Sequence, residues 1–220
     1  MRTLTIPLVR RRLLLATVLL ALLAGACTPT TTTATLHAAQ DGADLAPGWN
    51  GVAVDGAPAM PAQTFTDSAG QPFDLRAAMR ERPTLLYFGY TSCPDICPVH
   101  LANIAAALDD SSVRDSQLNV VFVTVDPQRD TPEVLGDYVG AFDSSFVALH
   151  ATQDEVNRVV TDLGLPEPTI EGREQNYTVG HPSQVLAFDT SGTARIGYPF
   201  GTRQSQWVED LPKLVREDWS

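Results

Sequence analysis

Thr84-Leu85-Leu86-Tyr87-Phe88-Gly89-Tyr90 is a short apolar run, and after Thr91-Ser92 it leads into Cys93-Pro94-Asp95-Ile96-Cys97-Pro98. The run reads as a buried strand, so both thiols fall at its end. Three residues stand between the cysteines, where the common redox dithiol has two, and Pro98 suits the opening turn of a following helix. A helix N-terminus favours thiolate, so cysteines placed there read as reactive or metal-binding. The bland alternative is a structural disulfide, but a bridge over so few residues closes almost no chain and stabilises little.

Working outward, Pro98 to Leu108 carries Leu101, Ile104, Ala105 and Leu108 at helical intervals, and Asp109-Asp110-Ser111-Ser112 ends that helix. Asn119 to Asp126 is a second near-continuous apolar run, the pattern of a strand covered on both faces. Strand, helix, strand implies a parallel right-handed crossover. Helices are expected over Pro132 to Phe142 and Gln153 to Leu163, with a short strand over Phe146 to Leu149 between them. Ser183 to Asp189 and Thr193 to Tyr198 flank Asp189-Thr190-Ser191-Gly192 and read as an antiparallel hairpin. A last helix spans Ser205 to Glu217, bent near Pro212, with Trp207 and Leu211 as core. Tyr87, Phe88 and Tyr90 are likewise read as core. Together these elements predict an α/β domain with a central mixed sheet and flanking helices, in thioredoxin-like order.

At the other end of the chain, Arg2, Arg10, Arg11 and Arg12 precede the apolar run Leu13 to Ala26. Such a run reaches about 21 Å as a helix, short of the roughly 30 Å hydrocarbon core, so residues 1–26 read as a secretory signal peptide and the protein as exported. Leu23-Ala24-Gly25-Ala26-Cys27 resembles a bacterial lipobox, which implies cleavage before Cys27 and its lipidation; ordinary signal cleavage nearby is the alternative. Lipidation of Cys27 also leaves the remaining cysteines as one pair. Residues 27–46, rich in Thr and Ala, read as a flexible tether, and residues 47–220 as one domain with a full core. The expected location is the outer face of the cytoplasmic membrane.

The chain has 15 basic and 26 acidic residues, a net charge of −11. Without the four arginines of the leader, 11 basic residues face 26 acidic ones and the net charge is −15. That balance argues against a nucleic-acid partner and is compatible with a cationic partner or simply with solubility.

Four stretches carry a resemblance to the Sco/SenC family, thioredoxin-fold copper proteins of cytochrome c oxidase assembly. Tyr87 to Pro98 is similar to the family's cysteine motif, and Val123-Thr124-Val125-Asp126-Pro127-Gln128-Arg129-Asp130-Thr131-Pro132 to its second signature. Tyr177-Thr178-Val179-Gly180-His181 falls where the family has its ligand histidine, and Phe65 to Leu75 resembles its leading hairpin. The resemblance implies that Cys93, Cys97 and His181 hold copper. Soft Cu(I) takes thiolates, and one added imidazole makes a three-ligand site that also accepts Cu(II).

The other candidates have competing readings. His181 taken alone reads more readily as a packed or surface histidine, and the family resemblance reverses that; Gly180 and Pro182 suggest a shaped loop around it. His37 lies in the tether, His150 follows a strand, and His100 is expected to face solvent from its helix without binding metal. Asp126 to Pro132 reads as a helix start, with Asp130 or Thr131 as cap, Pro132 in the first turn and Arg129 paired to a carboxylate. The functional reading places Asp126 and Arg129 behind the ligands or on a docking surface. Asp95 either tunes thiol acidity, contacts a partner, or serves the turn.

The resemblance implies a copper chaperone rather than a turnover enzyme; the leader and the lipobox-like stretch add a membrane tether, and a monomer is expected. Its expected partners are the copper-bearing subunit of cytochrome c oxidase and a periplasmic copper donor. Two rivals use the same thiols: a thiol-disulfide oxidoreductase cycling a Cys93–Cys97 disulfide, and a thiolate peroxide reductase, which leaves His181 unexplained.

Overall fold

The computed structural model describes residues 45–173 and 176–219. Along them run β1 (Val52–Ala53), β2 (Thr64–Asp67), β3 (Pro72–Asp74), α1 (Leu75–Glu81), β4 (Thr84–Gly89), α2 (Ile96–Asp110), β5 (Asn119–Thr124) and α3 (Pro132–Gly140). There follow β6 (Val147–His150), α4 (Gln153–Asp162), β7 (Thr169–Arg173), β8 (Asn176–Gly180), β9 (Val185–Phe188), β10 (Ala194–Tyr198) and α5 (Gln204–Arg216). Eight strands form one mixed sheet in the order β1-β10-β9-β4-β5-β6-β2-β3, and β7 pairs with β8 in a separate ribbon.

The centre of the sheet is parallel: β4 pairs with β5, as the two apolar runs and the helix between them predict, and β5 pairs in turn with β6. Every residue of β4 and β5 is buried, because helices cover both faces and leave no solvent side on which polar residues could alternate. Strand β9 lies antiparallel on the other side of β4 and pairs in turn with β10 as the expected hairpin. Its start therefore lies beside the end of β4, with Val185 opposite Tyr87. That register brings the chain just before β9 to the end of β4 where the cysteines stand.

Helix starts follow local chemistry. Thr131 caps α3 by accepting from Val134 N–H, with Pro132 in the first turn, while Thr152 and Glu155 form a capping box on α4. Helix α5 includes Pro212 and buries Trp207 and Leu211 as expected, and also Leu214 and Asp210. That carboxylate accepts from Asn50 N at 2.8 Å, Tyr198 Oη at 3.1 Å and Lys213 Nζ at 2.7 Å, so the buried charge is paired. The same contacts fasten the segment ahead of β1 to the last helix, and the Trp49 ring stacks on Trp219 at 5.3 Å between centroids. No helix among the described residues is long and apolar enough to cross a membrane. The expected signal peptide, nearly all of the tether and Cys27 lie outside the described residues.

Candidate metal centre

Strand β4 ends at Gly89, and a turn closed by Cys93 N–H on Tyr90 C=O carries the chain into α2. Cys93 sits in that turn and Cys97 in the first turn of the helix, so the Cys97 backbone N–H points at Cys93 Sγ, 3.5 Å away. Gly89 makes room behind them: a Cβ there would stand 2.7 Å from Cys97 Sγ and 2.7 Å from Phe122. A side chain at this last strand position would displace the sulfur.

His181 arrives directly after β8. Its Nε2 lies 3.9 Å from Cys93 Sγ and 3.6 Å from Cys97 Sγ, and the three ligand atoms all fall within 4.8 Å of one another. Its Nδ1 lies 2.9 Å from the Pro182 carbonyl. A carbonyl only accepts, so Nδ1 carries the proton and Nε2 offers its lone pair toward the sulfurs. The ring is enclosed edge-on by Tyr90 at 5.6 Å and Tyr87 at 6.0 Å.

Both thiols are free and buried, yet their acidities diverge. Cys93 is drawn well below the ordinary thiol range, first by its contact with Cys97, then by His181 and the backbone N–H groups of Asp95 and Cys97. Cys97 is pushed up, chiefly by burial and then by its neighbour Cys93. Tyr87 donates its O–H to Cys97 Sγ at 3.5 Å, and burial pushes its own pKa up, so that proton stays on the phenol. Two sulfurs, one of them poised as thiolate, and one imidazole lone pair make a donor set suited to a soft ion.

The remaining candidates divide. Arg129 pairs with Asp126 through Nε, donates from Nη1 to the Tyr177 carbonyl at 3.1 Å, and stacks over the Tyr177 ring at 3.7 Å. Tyr177 in turn donates its O–H to Asp126 at 2.7 Å. Asp126 and Arg129 thus touch no ligand atom; they join the end of β5 to β8, the strand that delivers His181. The carboxylate expected for Arg129 is Asp126. Asp95 is exposed at the N-cap of α2 without a side-chain cap bond, and only its backbone N–H serves Cys93.

One expectation is corrected. His100 does not face solvent: it is 1 % exposed, between the rings of Tyr87 and Phe200, with Nε2 2.9 Å from the Ser183 carbonyl. It stands four and seven residues before Ile104 and Ala107, both buried, so it flanks the apolar stripe, and that spacing was the signal to use. Burial pushes its pKa down to about 4, so the ring is neutral. His150 closes β6 and contacts the Pro127 carbonyl, away from the sulfurs.

Two residues were missed. Asp130 is not the α3 cap; fully buried, it accepts from Thr91 N at 3.0 Å, Thr91 Oγ1 at 2.5 Å and Thr124 Oγ1 at 2.7 Å, tying the turn before Cys93 to the end of β5. Tyr177 lay within a quoted motif, but its link to Asp126 is a contact across the fold that spacing does not reveal.

Comparison with known proteins agrees with this geometry. The SCO1/SenC family model matches residues 54–216. An SCO2-like protein of Rickettsia typhi is 32% identical over 128 residues, 57% of this chain and 63% of that protein. A human mitochondrial SCO1 homolog is 34% identical over 124 residues, 51% of this chain and 41% of that protein. The chain thus spans less than two thirds of the length of either relative. Among solved structures, copper-bound ScoI of Arabidopsis thaliana has a TM-score of 0.65 at 26% identity, covering 73% of this chain and 99% of that one. Copper-bound ScoI of Bradyrhizobium japonicum has a TM-score of 0.63 at 26% identity, covering 71% and 99%. With the two cysteines and the histidine gathered at one end of a thioredoxin-like sheet, and the family model running from just after β1 to the end of α5, the chain belongs to the SCO1/SenC family.

Proposed function

We propose that this chain is an extracytoplasmic copper carrier that takes its cargo on Cys93, Cys97 and His181 and delivers it to the copper-bearing subunit of cytochrome c oxidase. The observation that carries the reading is the donor set, two sulfurs and one lone-pair nitrogen within 4.8 Å. Copper is the first-row metal whose monovalent state seeks thiolates and whose divalent state accepts an added imidazole. Family membership and the copper-bound structural relatives support the same metal.

The recipient follows from the family resemblance: a thiolate-ligated copper centre can take metal by exchange of one sulfur for another. In this reading residues 1–26 export the chain, Cys27 carries a lipid anchor, and residues 27–46 let the monomeric domain 47–220 reach between a periplasmic donor and the oxidase at the outer face of the cytoplasmic membrane.

A second reading rests on the divergent thiols. A low-pKa Cys93 beside a protonated, more deeply buried Cys97 is the arrangement of an attacking and a resolving cysteine, suited to reducing a disulfide in an exported partner.

Copper stoichiometry on the domain from Pro47 onward, reduced and loaded anaerobically, separates the two. About one copper per chain, lost in Cys93→Ser or Cys97→Ser and held more weakly in His181→Ala, is the expected result. No retained copper together with a readily reversible Cys93–Cys97 disulfide would establish the dithiol reading instead.

A further inference from the structure

An imidazole in a helix stripe that Leu101 and Ile104 otherwise fill is a costly choice, since a leucine would bury equally well without losing hydration. A polar atom kept in such a position needs a partner, and His100 has one: its Nε2 meets the Ser183 carbonyl at 2.9 Å. Because the carbonyl only accepts, Nε2 must carry the proton. The preceding carbonyl, that of Pro182, accepts from His181 Nδ1 at 2.9 Å and so sets the direction of the ligand ring.

The stretch from β8 to β9 is therefore held on both sides of His181, by a side chain that follows β5 and by one from the cysteine-bearing helix α2. Arg129 holds the Tyr177 carbonyl ahead of His181, and His100 holds the Ser183 carbonyl behind it. We infer that His100 is a positioning residue: its Nε2–H fixes the Ser183 peptide, which keeps the Pro182 carbonyl where it can orient His181 toward Cys93 and Cys97. The metal part of this inference rests on the copper reading; the contact itself does not.

His100→Phe retains a ring between Tyr87 and Phe200 and removes the donor, while His100→Gln restores an amide N–H at similar reach. On the metal-free domain, amide hydrogen exchange over residues 179–184 is expected to quicken about five- to tenfold in His100→Phe and return to the wild-type rate in His100→Gln. On the Cu(II)-loaded domain, the imidazole nitrogen hyperfine signal in paramagnetic resonance is expected to weaken in the first variant and persist in the second. Unchanged exchange and spectrum in His100→Phe, or no rescue by His100→Gln, would overturn the role. If His100→Phe does not fold, the wild-type ring decides: a protected Nε2–H resonance supports the contact, and an Nδ1–H tautomer removes it. A wild-type domain that retains no copper refutes the carrier reading, and the exchange rates then decide the role of His100 alone.

Discussion

Cys97 stands on a helix packed against β4, a strand in which every residue is buried, whereas His181 follows a ribbon in which Val179 is the one buried residue between Asn176 and Gly180. Both sulfurs are buried with the core. The imidazole follows β7 and β8, which among the described residues pair with each other; Arg129 and Asp126 bond Tyr177 of β8, and His100 of α2 bonds Ser183 in the loop beyond it. Local opening of such a ribbon requires far less free energy than global unfolding. A centre with one fixed half and one releasable half suits a carrier, which must grip cargo and then let go.

The sharpest test of this contrast is acid, because His100 belongs to the rigid half yet holds the loose one. Its pKa falls from 6.5 to about 4 on folding, so the unfolded chain is the form that takes up the proton. The stability it contributes is fully present above about pH 6.5 and is lost as pH falls toward about 4, at 1.36 kcal/mol per unit. Wild type should lose roughly 3 kcal/mol more than His100→Phe between pH 7 and pH 4 in urea unfolding. Equal losses would mean that the ring is already protonated in the fold.

A smaller effect is expected from Gly89→Ala in the rigid half. The added methyl meets Cys97 Sγ and Phe122 at 2.7 Å, which should cost about 1–3 kcal/mol in denaturant midpoint and shift the sulfur. A neutral outcome would show that the cysteine turn yields as easily as the ribbon, and the contrast would collapse. Smallest of all is Ile170→Thr on β7: a side chain 62% exposed should change stability by less than about 0.5 kcal/mol. A loss well above that in thermal unfolding would mean the ribbon packs as a core element.

The same contrast decides what could be read from residues alone. Strands β4 and β5 declare themselves because burial on both faces demands unbroken apolar runs, and the cysteine motif follows at a spacing that points to chemistry. Thr169 to Arg173 and Asn176 to Gly180 show no such run; a ribbon wetted on most sides can be built from Thr, Glu, Asn and Gly, so the element that delivers His181 passed unnoticed. The three proposed ligands were named through the family resemblance, since spacing along the chain cannot bring His181 to Cys97. His100 was misjudged because polarity outweighed position: the four-residue step to Ile104 marks an inward face, and the Ser183 carbonyl that satisfies the ring comes from a distant segment. Asp130 was read through its local neighbourhood, as one of two candidate helix caps with Thr131, when its partners Thr91 and Thr124 lie in the turn after β4 and at the end of β5.

The stacking of Trp49 on Trp219 places the first and last described stretches of the domain side by side, with Lys213 Nζ reaching the Gly48 carbonyl at 2.7 Å. Topologically the domain is almost a closed ring. A short flexible linker joining the two stretches would span a small gap, and doubling its length would add only about 0.6 kcal/mol of closure entropy. Circularly permuted forms, reopened within the exposed turn at Ser68–Gly70, would then leave the parallel strands and the turn bearing the sulfurs in their original order.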